Sequence, residues 1–427
     1  MVQELLQLVT SESDTLSRPG RSRSPTVARD SSDYLIVGAG IIGLAIAREI
    51  KHRYMNARVT VLEKEGRVGI HASGRNSGVL HTGIYYPPAT LKAQLCKAGA
   101  DVMYRYALEF GIPVRRDGKL IVASSEENAK GLTSLHANAL ASGIRADLIG
   151  SDDIRRIEPH ARGEFGGIHC QDTAVIDSRM VIATLYNELQ RLGVRIVTDD
   201  RLVAVHDAQQ VATSTKCRRS YGRLINAAGA YADRVARYAG VGRQYRLVPF
   251  KGIYYKLAPG ATELVRGSIY PVPNPALPFL GVHFTRVISN EVYIGPTAIP
   301  ALGRENYGLL RGAKPLEALG IGVQLARLYA ANHQNFRKLV HNELPHYGKA
   351  SFVAAARTLV DRLEPEWIIA TPKVGIRPQL VNTRTSQLEM DFVIEHGQHS
   401  THVLNAISPA FTSAFAFATH VVDSLPQ

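Results

Sequence analysis

Residues 33–50, DYLIVGAGIIGLAIAREI, leave the chain little freedom in how it begins to fold. Tyr34 to Val37 read as a short buried strand, and Ile42, Ala45, Ile46 and Ile50 then recur at helical spacing. Between them Gly38, Gly40 and Gly43 stand in G-x-G-x-x-G order. The first glycine permits the tight turn, the second lets backbone approach a pyrophosphate, and the third lets helix and strand pack closely. The helix opens at Ile41 and Ile42, whose N–H groups would receive phosphate charge. RVTVLEKE, residues 58–65, supplies a second strand that brings Glu63 and Lys64 to the turn, roughly 20 residues past the last glycine, where a carboxylate accepts ribose hydroxyls. Strand, glycine turn, helix, strand and acid make a βαβ unit for a dinucleotide. The motif does not separate NAD from FAD.

An NAD-binding domain would continue with another crossover helix. This chain runs instead into HASGRNSGVLHTGIYYPP, residues 71–88, which has neither helical nor strand periodicity. Ser73, Arg75, Asn76, Ser77, Gly78 and His81 are small or polar, as suits backbone laid along a flat polar ring system whose heteroatoms meet its N–H and C=O groups. Val79, Leu80, Ile84, Tyr85 and Tyr86 are too apolar for a surface linker.

The 427 residues, 45% hydrophobic and 20% charged, suffice for two or three domains. Three cysteines without a C-x-x-C pair indicate neither a disulfide framework nor a zinc site, and point to a reducing compartment: mitochondrial, or the bacterial cytoplasm or inner-membrane periphery. The net charge of +13 is scattered without a Lys/Arg run, which reads as a solvated basic surface, or as a field steering acidic substrates, rather than a nucleic-acid site. No apolar run reaches the roughly 20 residues of a spanning helix, and peripheral membrane contact is left open. Residues 1–30 are rich in Ser, Arg and Pro and are expected to be a disordered leader; they partly resemble a mitochondrial targeting peptide, against which Glu4, Glu12 and Asp14 count.

Farther on, MVIATLYNELQRLG reads as an amphipathic helix, VRIVT and RLVAV as strands, and RLINAAGAYADRVA as strand, small-residue turn and helix, extending the first sheet. RLVPFKGIYYKL, SIYPVP, FLGVHF and EVYIGPT cluster β-formers around Gly and Pro, which predicts a mostly antiparallel sheet, followed by helical patterns such as ASFVAAARTLVDRL at 350–363. The expected fold is α/β: a Rossmann-type domain interleaved with an α+β substrate domain.

GAGIIG, LEKE, SGRNSGVLHTGIYYPP, LKAQLC, GKLIVA, NAAGAYADRVA, PFKGIYYKL, IYPVPNPALPFLGVHFT, GIRPQL, DFVIEH and LNAISPAFTSAFA, in this order, resemble the L-2-hydroxyglutarate dehydrogenase/oxidase family of D-amino-acid-oxidase-like FAD oxidoreductases. The likeness covers almost everything after residue 30. It implies FAD, with an FAD-binding domain at 31–115, 168–245 and 365–427 and a substrate domain at 116–167 and 246–364. Arg75, Thr297, Pro378, Phe411, Phe415 and Phe417 depart from the family pattern as follows: histidine is usual at 75, asparagine at 297, alanine at 378 and small residues at the three phenylalanines.

The resemblance further implies oxidation of the C2 hydroxyl of L-2-hydroxyglutarate to 2-oxoglutarate, with hydride passing to flavin N5 and electrons leaving to a quinone or oxygen. Related enzymes act on other 2-hydroxy acids, amino acids, secondary amines or glycerol 3-phosphate. His81 is the first candidate for the base that takes the hydroxyl proton and His283 the second, since imidazole titrates near neutrality. A dicarboxylate calls for fixed cations: Arg377 first, able to grip a carboxylate through two parallel bonds, then Lys251, with Tyr254 and Tyr255 as hydroxyl donors. Gly375 would lie beside the flavin with Arg377. Pro409, Ala410, Phe411 and Thr412 open a helix whose N-terminus would face the flavin N1/C2 edge. Ala228 and Gly229 would pass the pyrophosphate, and Val203 the adenine. No residue argues for a covalent flavin.

Overall fold

The structure is a computed structural model that describes residues 30–274, 279–309 and 311–426. The leader expected at 1–30 lies outside the described residues except for Asp30, which opens the first strand.

Two large sheets dominate. The eight-stranded sheet has Asp30–Val37 near its centre, parallel both to Val59–Leu62 and to Arg218–Asn226. The last strand, Ser400–Asn405, also lies parallel to Arg218–Asn226. Leu35 and Ile36 are wholly buried, as a parallel strand covered on both faces requires. The helices Ile41–Arg53, Leu91–Glu109, Ser178–Arg191 and Ala410–Asp423 build one core against this sheet, in which Leu44, Ile46, Ile50 and Phe417 are fully buried. Each such side chain contributes about 1.5–3 kcal/mol relative to exposure.

The ten-stranded sheet is antiparallel at its interfaces except where Ser268–Pro271 runs parallel to Lys119–Val122. Its backbone is the long pair Tyr245–Leu257 and Ile368–Asn382. Leu120, Ile269, Phe284, Ile294 and Phe352 form the core beneath it.

Two strands fall across the boundaries expected from sequence. Gly167–Cys170 pairs with Lys119–Val122, and Ile368–Asn382 with Tyr245–Leu257, so both belong to the ten-stranded sheet although 168–245 and 365–427 read as FAD-binding segments. A β-forming segment fits either sheet, and only its partner decides. The helix expected over 350–363 stops at Arg357, after which Val360 bridges to Ala161. Among the described residues no helix is long and apolar enough to cross a membrane.

Candidate active site

At the glycine turn, Gly38 has φ +105°, and a Cβ there would lie 2.4 Å from the Ala227 carbonyl oxygen. A Cβ on Gly43 would lie 1.9 Å from the Gly38 carbonyl oxygen. The glycines therefore let the first strand, its helix and the 227–229 turn touch backbone to backbone. Ala228 N–H donates to Asn226 Oδ1 at 3.1 Å, shaping that turn, and Gly229 continues it at φ +54°. Glu63 is buried at the end of the second strand and accepts N–H bonds from Ala39 (2.9 Å) and Glu65 (3.0 Å). Those bonds fix the carboxylate, and each oxygen keeps a second lone pair.

The stretch 71–88 is held in place by its own polar side chains. Ser73 Oγ accepts the N–H of Ile41 at 2.9 Å, doing for this helix what its cap residue Gly40 cannot. Asn76 donates to Ser73 O (2.7 Å) and accepts from Gly78 N–H (2.8 Å), and Ser77 Oγ accepts weakly from Val79 N–H (3.4 Å). Arg75 donates to Ile70 O and lies 4.2 Å over the Tyr307 ring. Thr412 then ties the stretch to the last helix: its hydroxyl accepts from His81 N–H (3.2 Å) and donates to Val79 O (3.3 Å). That helix, Ala410–Asp423, begins after Pro409 with no side-chain cap. Pro409, Ala410, Phe411 and Thr412 all border a cleft.

The cleft is continuous, about 1340 Å³, and runs from Gly38, Gly40 and Glu63 to His81, His283 and Arg377. Val203 edges it and is 36% exposed. Lys64 also borders it, in contact with Glu65, His71 and Glu305. These three have ligand atoms within 4.8 Å of one another, but the ammonium already supplies their cation. Glu305 also accepts from Tyr231, and its neighbour Arg304 pairs with buried Asp233, so a loop from one layer fastens onto the other.

Strand register decides which sheet residues reach the cleft. Arg377 faces Phe250 across the strand pair, and Gly375 faces Gly252, so Gly252, Tyr254, Gly375 and Arg377 share the cleft side. Lys251 and Tyr255 alternate to the other side. Lys251 Nζ donates to Gly308 O at 2.6 Å, and Tyr255 packs 4.7 Å from Phe352 in the core. Neither borders the cleft, contrary to the expectation that they touch substrate. Among the departures, Arg75, Pro378 and Phe411 border the cleft. Thr297 instead clasps the strand through Lys251 O and Ile253 N–H. Phe415 packs on Tyr106 and Phe417 on Phe392 in the core.

At the far end Arg377 has no carboxylate partner among the described residues, and its guanidinium lies 4.9 Å from the Phe279 ring. His283 donates Nδ1–H to Gly281 O at 2.8 Å, which leaves Nε2 as an acceptor. Burial drives its pKa down to about 3, with Arg377 and Lys119 acting in the same direction against the Gly281 bond. His81 is likewise held at about 3 by burial, then by Lys119, His283 and Arg377. Both imidazoles are neutral at physiological pH. Sequence reasoning missed Tyr86, Lys92 and Tyr270, which border the cleft, and Lys119 behind it. Lys119 is 1% exposed, its ammonium has no hydrogen-bond partner among the described residues, and it lies 4.3 Å over Tyr85 and 5.1 Å over Tyr270. A lysine inside the apolar strand KLIV was the available signal.

A model of the family described as FAD dependent oxidoreductase matches residues 33–424. The chain belongs to this family. FAD is its cofactor, and the cleft fits it: a glycine turn admitting no side chain, a fixed carboxylate at the second strand, and an uncapped helix start further along. The flavoenzyme is 35% identical over 440 residues to "L-2-hydroxyglutarate dehydrogenase, mitochondrial" of Bos taurus, covering 97% of this chain and 92% of that protein. It is 32% identical to L-2-hydroxyglutarate dehydrogenase of Escherichia coli K12, covering 92% and 93%. In fold it is similar to the FAD-bound, dithionite-reduced L-alpha-glycerophosphate oxidase of Mycoplasma pneumoniae, with TM-score 0.72, 22% identity and 92% and 94% coverage. Glycine oxidase of Geobacillus kaustophilus gives TM-score 0.68 at 18% identity, covering 92% and 94%. The D-amino-acid-oxidase-like fold expected from sequence is the fold of this chain.

Proposed function

We propose that this flavoenzyme oxidises L-2-hydroxyglutarate to 2-oxoglutarate and passes the electrons to a quinone or to oxygen. The observation that carries the reading is Arg377, a cleft-lining guanidinium with no ion pair among the described residues, beside two neutral imidazoles. Arginine offers a planar fork that matches a carboxylate, and no described residue occupies it. The names of the relatives support the same substrate. Bound FAD supplies the two-electron acceptor, held by the Gly38–Gly43 turn and Glu63 on the eight-stranded layer; the ten-stranded layer contributes most of the substrate contacts.

In this reading Arg377 fixes the C1 carboxylate and Tyr254, whose phenol burial raises to about 12, stays a hydroxyl donor. His81 takes the hydroxyl proton. Its low proton affinity in the free protein comes first from burial and then from Lys119, His283 and Arg377; a substrate carboxylate on Arg377 removes that last part and raises the imidazole's basicity when substrate is present. His283 is a second reading for the base, favoured by its fixed tautomer. The test is anaerobic stopped-flow bleaching of the flavin with both enantiomers of 2-hydroxyglutarate, beside lactate, malate, glycerol 3-phosphate and amino acids. Fast bleaching by the L enantiomer alone is expected. Faster reduction by an amine or by glycerol 3-phosphate would overturn the assignment.

A further inference from the structure

Lys92 enters the cleft from the second position of the helix Leu91–Glu109. It is only 3% exposed, yet its ammonium makes no hydrogen bond or ion pair with any described residue. The charge of Asp391 offsets part of the cost of burying this ammonium, but the two form no ion pair: the Asp391 carboxylate accepts the N–H groups of Leu91 (2.9 Å) and Lys92 (3.0 Å) at the start of the helix, and that of its neighbour Phe392 (2.8 Å). Lys92 instead lies 5.6 Å over the Tyr86 ring. Tyr86 also feels the charge of Arg377, and Arg377 in turn repels Lys92. Two cations without an ion pair among the described residues, one from a helix of one layer and one from a strand of the other, therefore line the same cleft as Tyr86.

Burial without a partner is costly for an ammonium, and so is a second cation nearby. Such a residue persists where an anion completes it. Glutarate-type substrates carry two carboxylates, and Arg377 accounts for one.

We propose that Lys92 is the specificity-determining residue for the second carboxylate: it pairs with the carboxylate remote from the reacting carbon and makes the cleft prefer dicarboxylates over 2-hydroxy monocarboxylates. The inference rests on Arg377 holding the first carboxylate, as in the reading above. Tyr86, which lines the same cleft under Lys92, would face the methylene chain.

The experiment uses the FAD-loaded protein and two unreactive probes, glutarate and butyrate, whose dissociation constants are read from perturbation of the flavin absorbance. Lys92→Met keeps helix propensity and length while removing the charge. It is expected to weaken glutarate roughly 10- to 100-fold and butyrate by less than about 3-fold, the loss typical of one hydrogen bond to a charged group. Lys92→Arg should regain most of the glutarate affinity, which a merely structural lysine would not predict. Equal weakening of both probes, or none, overturns the proposal. If Lys92→Met does not retain flavin, Lys92→Gln answers the same comparison. Because neither probe is oxidised, loss of the dicarboxylate preference sinks this inference alone, whereas failure of L-2-hydroxyglutarate to bleach the wild-type flavin sinks the substrate assignment alone.

Discussion

The imidazole of His283 lies flat on the phenol ring of Tyr270, with centroids 3.9 Å apart and planes 20° from parallel. With Nδ1 bonded to Gly281 O, the ring cannot turn without losing both contacts, so one tautomer is selected. His81 is tethered differently, through its backbone: its N–H donates to Thr412 and its carbonyl accepts from Cys96 Sγ at 3.2 Å. One histidine is fixed by its side chain and the other by its main chain, and single substitutions separate their roles. His81→Ala is expected to lower kcat roughly 10²- to 10⁴-fold with flavin retained, and His283→Ala to lower it less. Rapid-reaction kinetics on both variants check the order; the reverse order makes His283 the base.

Replacing Arg377 tests the carboxylate fork. Arg377→Lys keeps the charge but loses the two parallel bonds, and should raise KM for L-2-hydroxyglutarate roughly 10- to 100-fold. A KM within about 2-fold of wild type would reduce Arg377 to a structural residue.

Lys119 contributes to the depression of His81 and His283. Removing its charge in Lys119→Met should raise both pKa values, so the acid limb of the kcat/KM profile moves to higher pH. The same variant removes a buried ammonium without a partner and is expected to unfold at the same temperature or higher. An unchanged acid limb would show that Lys119 carries no charge at working pH.

Gly38→Ala introduces a Cβ 2.4 Å from a backbone oxygen at a positive φ and should abolish retention of FAD, read as the visible-to-ultraviolet absorbance ratio. Gly320→Ala, inside the helix Pro315–Ala331 with nothing within 4 Å of the new Cβ, should instead stabilise by about 0.5–1 kcal/mol.

Acid weakens the fold through its buried neutral histidines. His81 and His283 are lowered to about 3 and wholly buried His402 to about 4, each mainly by burial. Below pH about 6.5 the unfolded chain binds protons at these positions and the native chain does not, so stability falls as pH drops from there towards 3–4. Thermal unfolding of the apoprotein between pH 8 and 5 should show Tm constant at first and then declining. A Tm that rises with acidification would contradict it.

The nucleotide end of the cleft was legible because its information is local: Gly38, Gly43 and Glu63 act within one βαβ unit, and spacing alone brings them together. The substrate end was legible only in part. Arg377 was found, but Lys251 was kept beside it as a second candidate, because both are cations on sheet strands and the pairing of Phe250 with Arg377 decides which face each takes. Tyr255 was misread for the same reason. Lys92 and Tyr270 look ordinary in their own segments, and their meaning comes from elements that meet only in the folded chain. The sheet membership of Ile368–Asn382 was hidden likewise, since it depends on a partner more than a hundred residues earlier.

The strand Ser400–Asn405 occupies a place in the same sheet as Asp30–Val37, with only Arg218–Asn226 between them. A ribosome must therefore release the chain through residue 405 before the first layer can close. The N-terminal half waits through synthesis with residues 224–226 unpaired on the side that the last strand fills.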